Sequence, residues 1–403
     1  MARRSAPPRR LPIVYLAIGH AALLFALFVA ALVPASIDTF FYHPRMFAVV
    51  HLVTLGWITH SILGATYLAA PMALRAELPA GKLDGWACAF VSIGASGVVA
   101  HFWLEGYSGV AYSGGMLLLA FGYLAIRALV GTAYLNLLAT ALYGTLLSIN
   151  KNHPFLPGDH LDNVYAHAHL GLVGWGLLMF FGVGLRMLPM YLPAKPPPDK
   201  SAWALLLLVE GGLIALGACW IVAPDSARWA ALVVALGVAW FARLVIGMLR
   251  NRLPAPPALR RPDIGMLQVL AALGYLALAT GTGLYLVFAE RLDLGAVMAY
   301  GTFVLLGFFG QLILGIEMRL LPMYAWISSW TASGYEKLPV SPHERPVRPL
   351  QAVCLVAWTI GVPCMAYGLW HAEHRVVSAA AWTLIAGTLA ATANTVRVLT
   401  RRT

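Results

Sequence analysis

Twelve long apolar runs constrain this chain more than any other feature. A membrane-spanning helix needs about 20 predominantly apolar residues. Such runs lie near 11–35, 46–71, 84–104, 109–128, 130–149, 164–191, 201–223, 227–249, 264–289, 295–323, 350–371 and 376–398. The connections are short except at 250–263 and 325–349, which are longer, basic and proline-bearing. The residues are 60% hydrophobic and 11% charged, which excludes a soluble globular enzyme, a disordered chain and a disulfide scaffold. Cys88, Cys219, Cys354 and Cys364 all fall in apolar runs and form no CxxC, so neither a zinc site nor a redox dithiol is indicated. The first residues are basic, but Ile13 to Val33 is long enough to span, and reads as a first helix rather than a cleaved signal. The expected fold is an all-α integral membrane protein with twelve transmembrane helices.

The net charge of +11 follows from topology. With the N-terminus in the cytoplasm, the inward segments hold 22 of the 27 Lys and Arg residues, and the outward ones only Arg45, Lys151, Arg228, Arg291 and Arg375. Basic residues concentrate on the cytoplasmic side of membrane proteins. The split predicts both termini in the cytoplasm of a bacterial-type inner membrane, and it explains the basic chain without a nucleic-acid partner. The partner implied is the lipid bilayer.

One helix pattern occurs three times. His51 is followed by Gly56-Trp57, Gly64 and Pro71; His169 by Gly174-Trp175, Gly182 and Pro189; Thr302 by Gly307-Phe308, Gly315 and Pro322. The glycine-to-glycine spacing is eight and the proline follows seven later in every copy. The copies are 118 and 133 residues apart, or four helices each time. The chain thus reads as one membrane domain, 1–403, made of three four-helix arcs at about 11–128, 130–249 and 264–398, with pseudo-threefold symmetry.

This plan resembles subunit I of the haem-copper oxidases. The segment His167-Ala-His169-Leu-Gly171-Leu-Val-Gly174-Trp175 is similar to the HxH helix of the C-type oxidases and nitric oxide reductases. The likeness extends to the smaller membrane haem proteins of the nitric oxide response. In the oxidase family HxH lies on the tenth helix and pairs with a histidine on the second. Here it lies on the sixth, and the tenth carries Thr302. The run 201–223 contains no histidine, so the family's copper ligands have no counterpart there. The resemblance implies haem b, one or two, with copper as a further cofactor, and a periplasmic electron donor or companion subunit as partner.

The histidines carry the site expectations, because ionisable side chains inside a bilayer are functional by default. His51 and His169 occupy the same place in two copies and the same expected depth near the outer surface. They are read as bis-histidyl ligands of a haem between helices two and six, against a non-haem metal and against the plainer reading of histidines bonded to backbone or to each other. His167 is about 200° round the helix from His169, which directs it to a second haem or metal, or to an interface. His60 lies nine residues beyond His51, about 180° round and about 14 Å deeper on an α-helix. His20 is at comparable depth on helix one, so the two are expected to meet, at a metal, a second haem, a proton path or a locking polar pair. His101, at the outer end of helix three, is read as reaching a haem or copper or as a surface group. Tyr67, Trp57 and Trp175 are expected to line a haem. His371 and His374 have a metal-binding spacing but read more simply as solvated. Glu210 is read as a proton-carrying acid or a packing group, Glu317 with Arg319 as a salt bridge, and Tyr165 as a weak redox candidate.

Three functions follow as expectations. The first is a membrane haem protein of redox or diatomic-gas (oxygen or nitric oxide) chemistry, with oxidoreductase turnover left open. The second is a haem- or copper-binding sensor or assembly factor. The third is a transporter-like protein without haem, disfavoured by the shortage of buried charge.

Overall fold

The computed structural model describes residues 10–38, 40–71, 78–128, 131–254, 262–289 and 291–401. The basic N-terminal segment, and half of each of the basic 72–83 and 250–263 connections, lie outside the described residues. Among the described residues there is no strand, and twelve helices are long and apolar enough to cross a membrane. They are α1 (Leu11–Leu32), α2 (Pro44–Ala69), α3 (Lys82–Trp103), α4 (Tyr107–Ile126), α5 (Gly131–Asn152), α6 (His160–Tyr191), α7 (Asp199–Val222), α8 (Ala227–Arg250), α9 (Ile264–Phe288), α10 (Leu294–Ala332), α11 (Arg348–Trp370) and α12 (His374–Thr400). Large apolar side chains such as Phe25, Leu119, Leu207, Ile214 and Val222 are exposed on their helices. Backbone polar groups are satisfied within each helix, while apolar side chains face outward, as hydrocarbon requires. The chain is a multi-pass membrane protein.

Two ends depart from the apolar runs. α6 starts at His160 rather than 164, because Asp159 caps it by accepting from the Leu161 N–H. α10 continues through Pro322 to Ala332, into the stretch expected to be a connection. Its polar end stays helical while the Ser329 and Thr331 hydroxyls donate to the carbonyls of Ala325 and Ile327. Hydropathy therefore ended this helix too early.

The chain forms two compact units. One contains α1, α2, the greater part of α9, and α10 to α12; the other contains α3 to α8 with the end of α9. Inside the first unit, Trp57 of α2 and Trp358 of α11 pack 5.9 Å apart, beside Gly19 of α1 and Gly310 of α10. Inside the second, α5, α6 and α7 meet at Gly174, where a Cβ would lie 2.8 Å from both Asn136 and Leu213.

Candidate functional site

The three repeated helices share an interruption that spacing alone did not predict. Each changes from α- to π-helix for eight residues: Leu52–Thr59, Leu170–Leu177 and Phe303–Gly310. Each π-segment begins one residue after the first position of the repeat, namely His51, His169 and Thr302. π-helical segments are rare and concentrate at functional sites.

The glycine inside each segment explains how the neighbouring helix fits. A Cβ on Gly56 would lie 2.8 Å from Ala22 of α1, one on Gly174 2.8 Å from Asn136 of α5, and one on Gly307 2.6 Å from Tyr275 of α9. In each copy the preceding helix presses on the π-segment where no side chain can be accommodated. The second glycine behaves less uniformly. Gly64 and Gly315 are crowded by α1 and α9, whereas a Cβ on Gly182 would meet nothing within 4 Å.

His51 and His169 also share a hydrogen bond. His51 Nδ1 lies 2.8 Å from the Phe47 carbonyl, and His169 Nδ1 lies 2.9 Å from the Tyr165 carbonyl. Thr302, in the third copy, donates to the Met298 carbonyl at 2.9 Å, again four residues back. A carbonyl only accepts, so each imidazole carries its proton on Nδ1 and its lone pair on Nε2. Donation from one ring nitrogen to a carbonyl is the usual way a ligating histidine has its tautomer and orientation fixed. These bonds are the ones the plainer reading of backbone-bonded histidines expects, and an imidazole held in this way is also a donor type that haem iron accepts.

His167 and His169 do face different helices. The His167 ring lies over Gly144 of α5, where a Cβ would come within 2.7 Å, and 6.4 Å from the Tyr143 ring. The His169 ring sits 4.7 Å from Trp220 of α7. Trp220 also lies 6.0 Å from Tyr165, so that tyrosine belongs to an aromatic group with α7.

His20 and His60 do not form the expected pair. His20 Nε2 is 2.8 Å from Glu317 Oε2 of α10, and its Nδ1 is 2.7 Å from Thr392 Oγ1 of α12. His60 is fully buried, with Nδ1 2.7 Å from the Leu55 carbonyl and its ring edge-on to Tyr15 of α1. His60 does face α1, but it meets that helix at Tyr15, five residues before His20, whose ring nitrogens are taken by α10 and α12. The π-segment has more residues per turn than an α-helix, so a rotation counted at 100° per residue from His51 to His60 does not hold. Its bond to Leu55 runs five residues back, the π spacing. The Glu317–Arg319 salt bridge is likewise corrected: Glu317 binds His20, and Arg319 pairs with Asp263.

The other expected residues have structural partners. Tyr67 stacks on Tyr15 of α1, Trp57 packs on Trp358, and Trp175 packs edge-on to Tyr134 of α5. His101 lies over Gly109 at the start of α4. His374 pairs with Asp38 rather than with His371, which packs tilted against Tyr367 and stacks on Trp370. Glu210 accepts from Asn136 Nδ2 at 2.8 Å, a packing contact between α5 and α7. Among the described residues, no group of three or more His, Cys, Asp or Glu side chains is placed to enclose a metal ion.

Sequence reasoning missed the buried His20–Glu317–Thr392 group. Its signals were two ionisable residues within apolar runs, His20 and Glu317, with nothing in the sequence to pair them. Near it, Glu317 Oε1, Ser61 Oγ, the Gln311 amide and Trp57 Nε1 are buried without a hydrogen-bond partner. They add hydrogen-bonding capacity to the interior of this unit.

Comparison with known proteins gives no relative: no family model matches the chain, and no curated protein matches it.

Proposed function

We propose that this chain is an integral-membrane haem b protein in which His51 and His169 supply imidazole nitrogens to haem iron. One observation carries the reading. Both histidines stand immediately before a π-helical segment, in matched repeats, with Nδ1 committed to a backbone carbonyl and the lone pair on Nε2. Haem would supply one-electron or diatomic-gas chemistry. The protein's part is to fix the two rings and to surround them with apolar helices, which tunes the iron through burial. This reading builds the chain from three four-helix repeats, places it in a bacterial-type inner membrane, and puts both termini in the cytoplasm. Its electron partner is a periplasmic donor or a companion subunit. Copper remains a further cofactor of the resemblance, and a non-catalytic sensor or assembly role uses the same haem.

The test is a reduced-minus-oxidised spectrum of purified protein, with a pyridine haemochrome assay. A b-type haemochrome is the expected result, and a carbon monoxide shift separates a gas-binding iron from a sealed electron carrier. Well-folded protein made with ample haem but lacking a Soret band overturns the proposal.

The buried His20–Glu317 pair favours a second reading, proton-coupled transport without haem. It supplies one buried ionisable pair where the shortage of buried charge had disfavoured this reading. Haem-free protein whose proton uptake in vesicles depends on Glu317 would support it.

A further inference from the structure

The connection between α10 and α11 contains an arginine whose surroundings do not balance its charge. Arg345 is only 2% exposed. Its Nη2 donates to Ser329 Oγ at 3.1 Å, near the end of α10, and its Nη1 to the Arg401 carbonyl at 3.4 Å, just beyond α12. Its Nε is buried and has no acceptor. Both acceptors are neutral, and among the described residues no carboxylate lies within ion-pair distance of Arg345.

The charge that acts on Arg345 is also cationic: that of Arg401. Arg401 donates to the Glu344 carbonyl at 3.1 Å, adjacent to Arg345. Arg348 opens α11 and donates to the Pro262 carbonyl at 3.2 Å. Arg319, paired with Asp263, lies close enough to act on His343. Burial, together with Arg401, draws the Arg345 guanidinium below its ordinary pKa, and burial with Arg319 does the same to the His343 imidazole. A covered guanidinium with neutral acceptors and cationic neighbours is costly unless an anion completes it. Arginine's planar fork suits phosphate oxygens in particular. The cluster stands where α10 and α12 end and α11 begins, at the ends of three helices long and apolar enough to span a bilayer, where anionic headgroups would be met.

We propose that Arg345, with Arg401, forms a binding site for a phosphate-bearing anion: the headgroup of an anionic phospholipid or free inorganic phosphate. It is independent of the haem reading. The ligand brings acceptors to Nε and the Nη groups, and ties the α10–α11 connection to the end of α12.

The experiment is thermal unfolding of the full chain in detergent, at constant ionic strength, with three additions: micelles doped with phosphatidylglycerol, micelles doped with phosphatidylcholine, and inorganic phosphate. Ligand that binds the folded state raises Tm with concentration. A rise with phosphatidylglycerol and not with inorganic phosphate identifies a lipid site. A rise with inorganic phosphate as well identifies a general phosphate site. Arg345→Gln should weaken either response about tenfold, the scale of one lost charge-assisted contact. Should that variant fail to fold, the exposed Arg401→Gln should still weaken the response several-fold. No response to either anion, or an equal response in the wild type and Arg401→Gln, overturns the site.

Discussion

His20 and Glu317, 297 positions apart, join ring nitrogen to carboxylate oxygen at 2.8 Å with both side chains buried. The second ring nitrogen is bound by Thr392, so three helices, α1, α10 and α12, are fixed by one imidazole. In a low dielectric such a contact is electrostatically stronger than in water, and an unmatched member is correspondingly costly.

Removal of either member should therefore destabilise the fold. His20→Ala and Glu317→Ala are each expected to cost about 3–5 kcal/mol, the range for breaking a buried pair. The double variant should cost much less than the sum. A double-mutant cycle from unfolding in mixed micelles measures the coupling, and additive losses would contradict it.

The repeat glycines make a sharper contrast. Gly174→Ala should destabilise by about 1–3 kcal/mol, because its Cβ would meet Asn136 and Leu213 at 2.8 Å. Gly182→Ala should be neutral or stabilising by up to about 1 kcal/mol, since the space there is open and alanine favours the helix. Equal effects at the two positions would remove the packing account of the repeat.

Haem content should separate neighbouring histidines. His51→Ala and His169→Ala should each lower haem per protein at least several-fold in the pyridine haemochrome assay. His167→Ala should retain most of it, because that ring lies against Gly144 and Tyr143. Haem loss in His167→Ala equal to that in His169→Ala would shift the ligand assignment.

His343 offers a pH test outside the spans. Burial and Arg319 lower its pKa in the folded state below the ordinary 6.5. The unfolded chain then binds the proton more readily, so stability falls as pH drops from about 6.5 through the lowered folded value. His343→Gln should flatten that part of the Tm-against-pH curve, while the region above pH 7 stays unchanged. An unaltered acid limb would show that His343 is not its source.

Much of this protein was legible in its sequence. Apolar run length depends on the bilayer alone, so twelve spans emerged with boundaries wrong mainly at α6 and α10. The matched His51 and His169, and the glycines after them, were visible because a close helix approach leaves a fixed residue type at a fixed spacing. The conformation of those segments was not visible. An α-to-π change alters residues per turn without altering composition, so counting along α2 did not place His60 against its actual neighbour on α1, Tyr15. Partners across helices were equally hidden. Periodicity gives a face of a helix, but only tertiary packing decides which distant side chain meets it, as Glu317 meets His20 and as neutral oxygens meet Arg345.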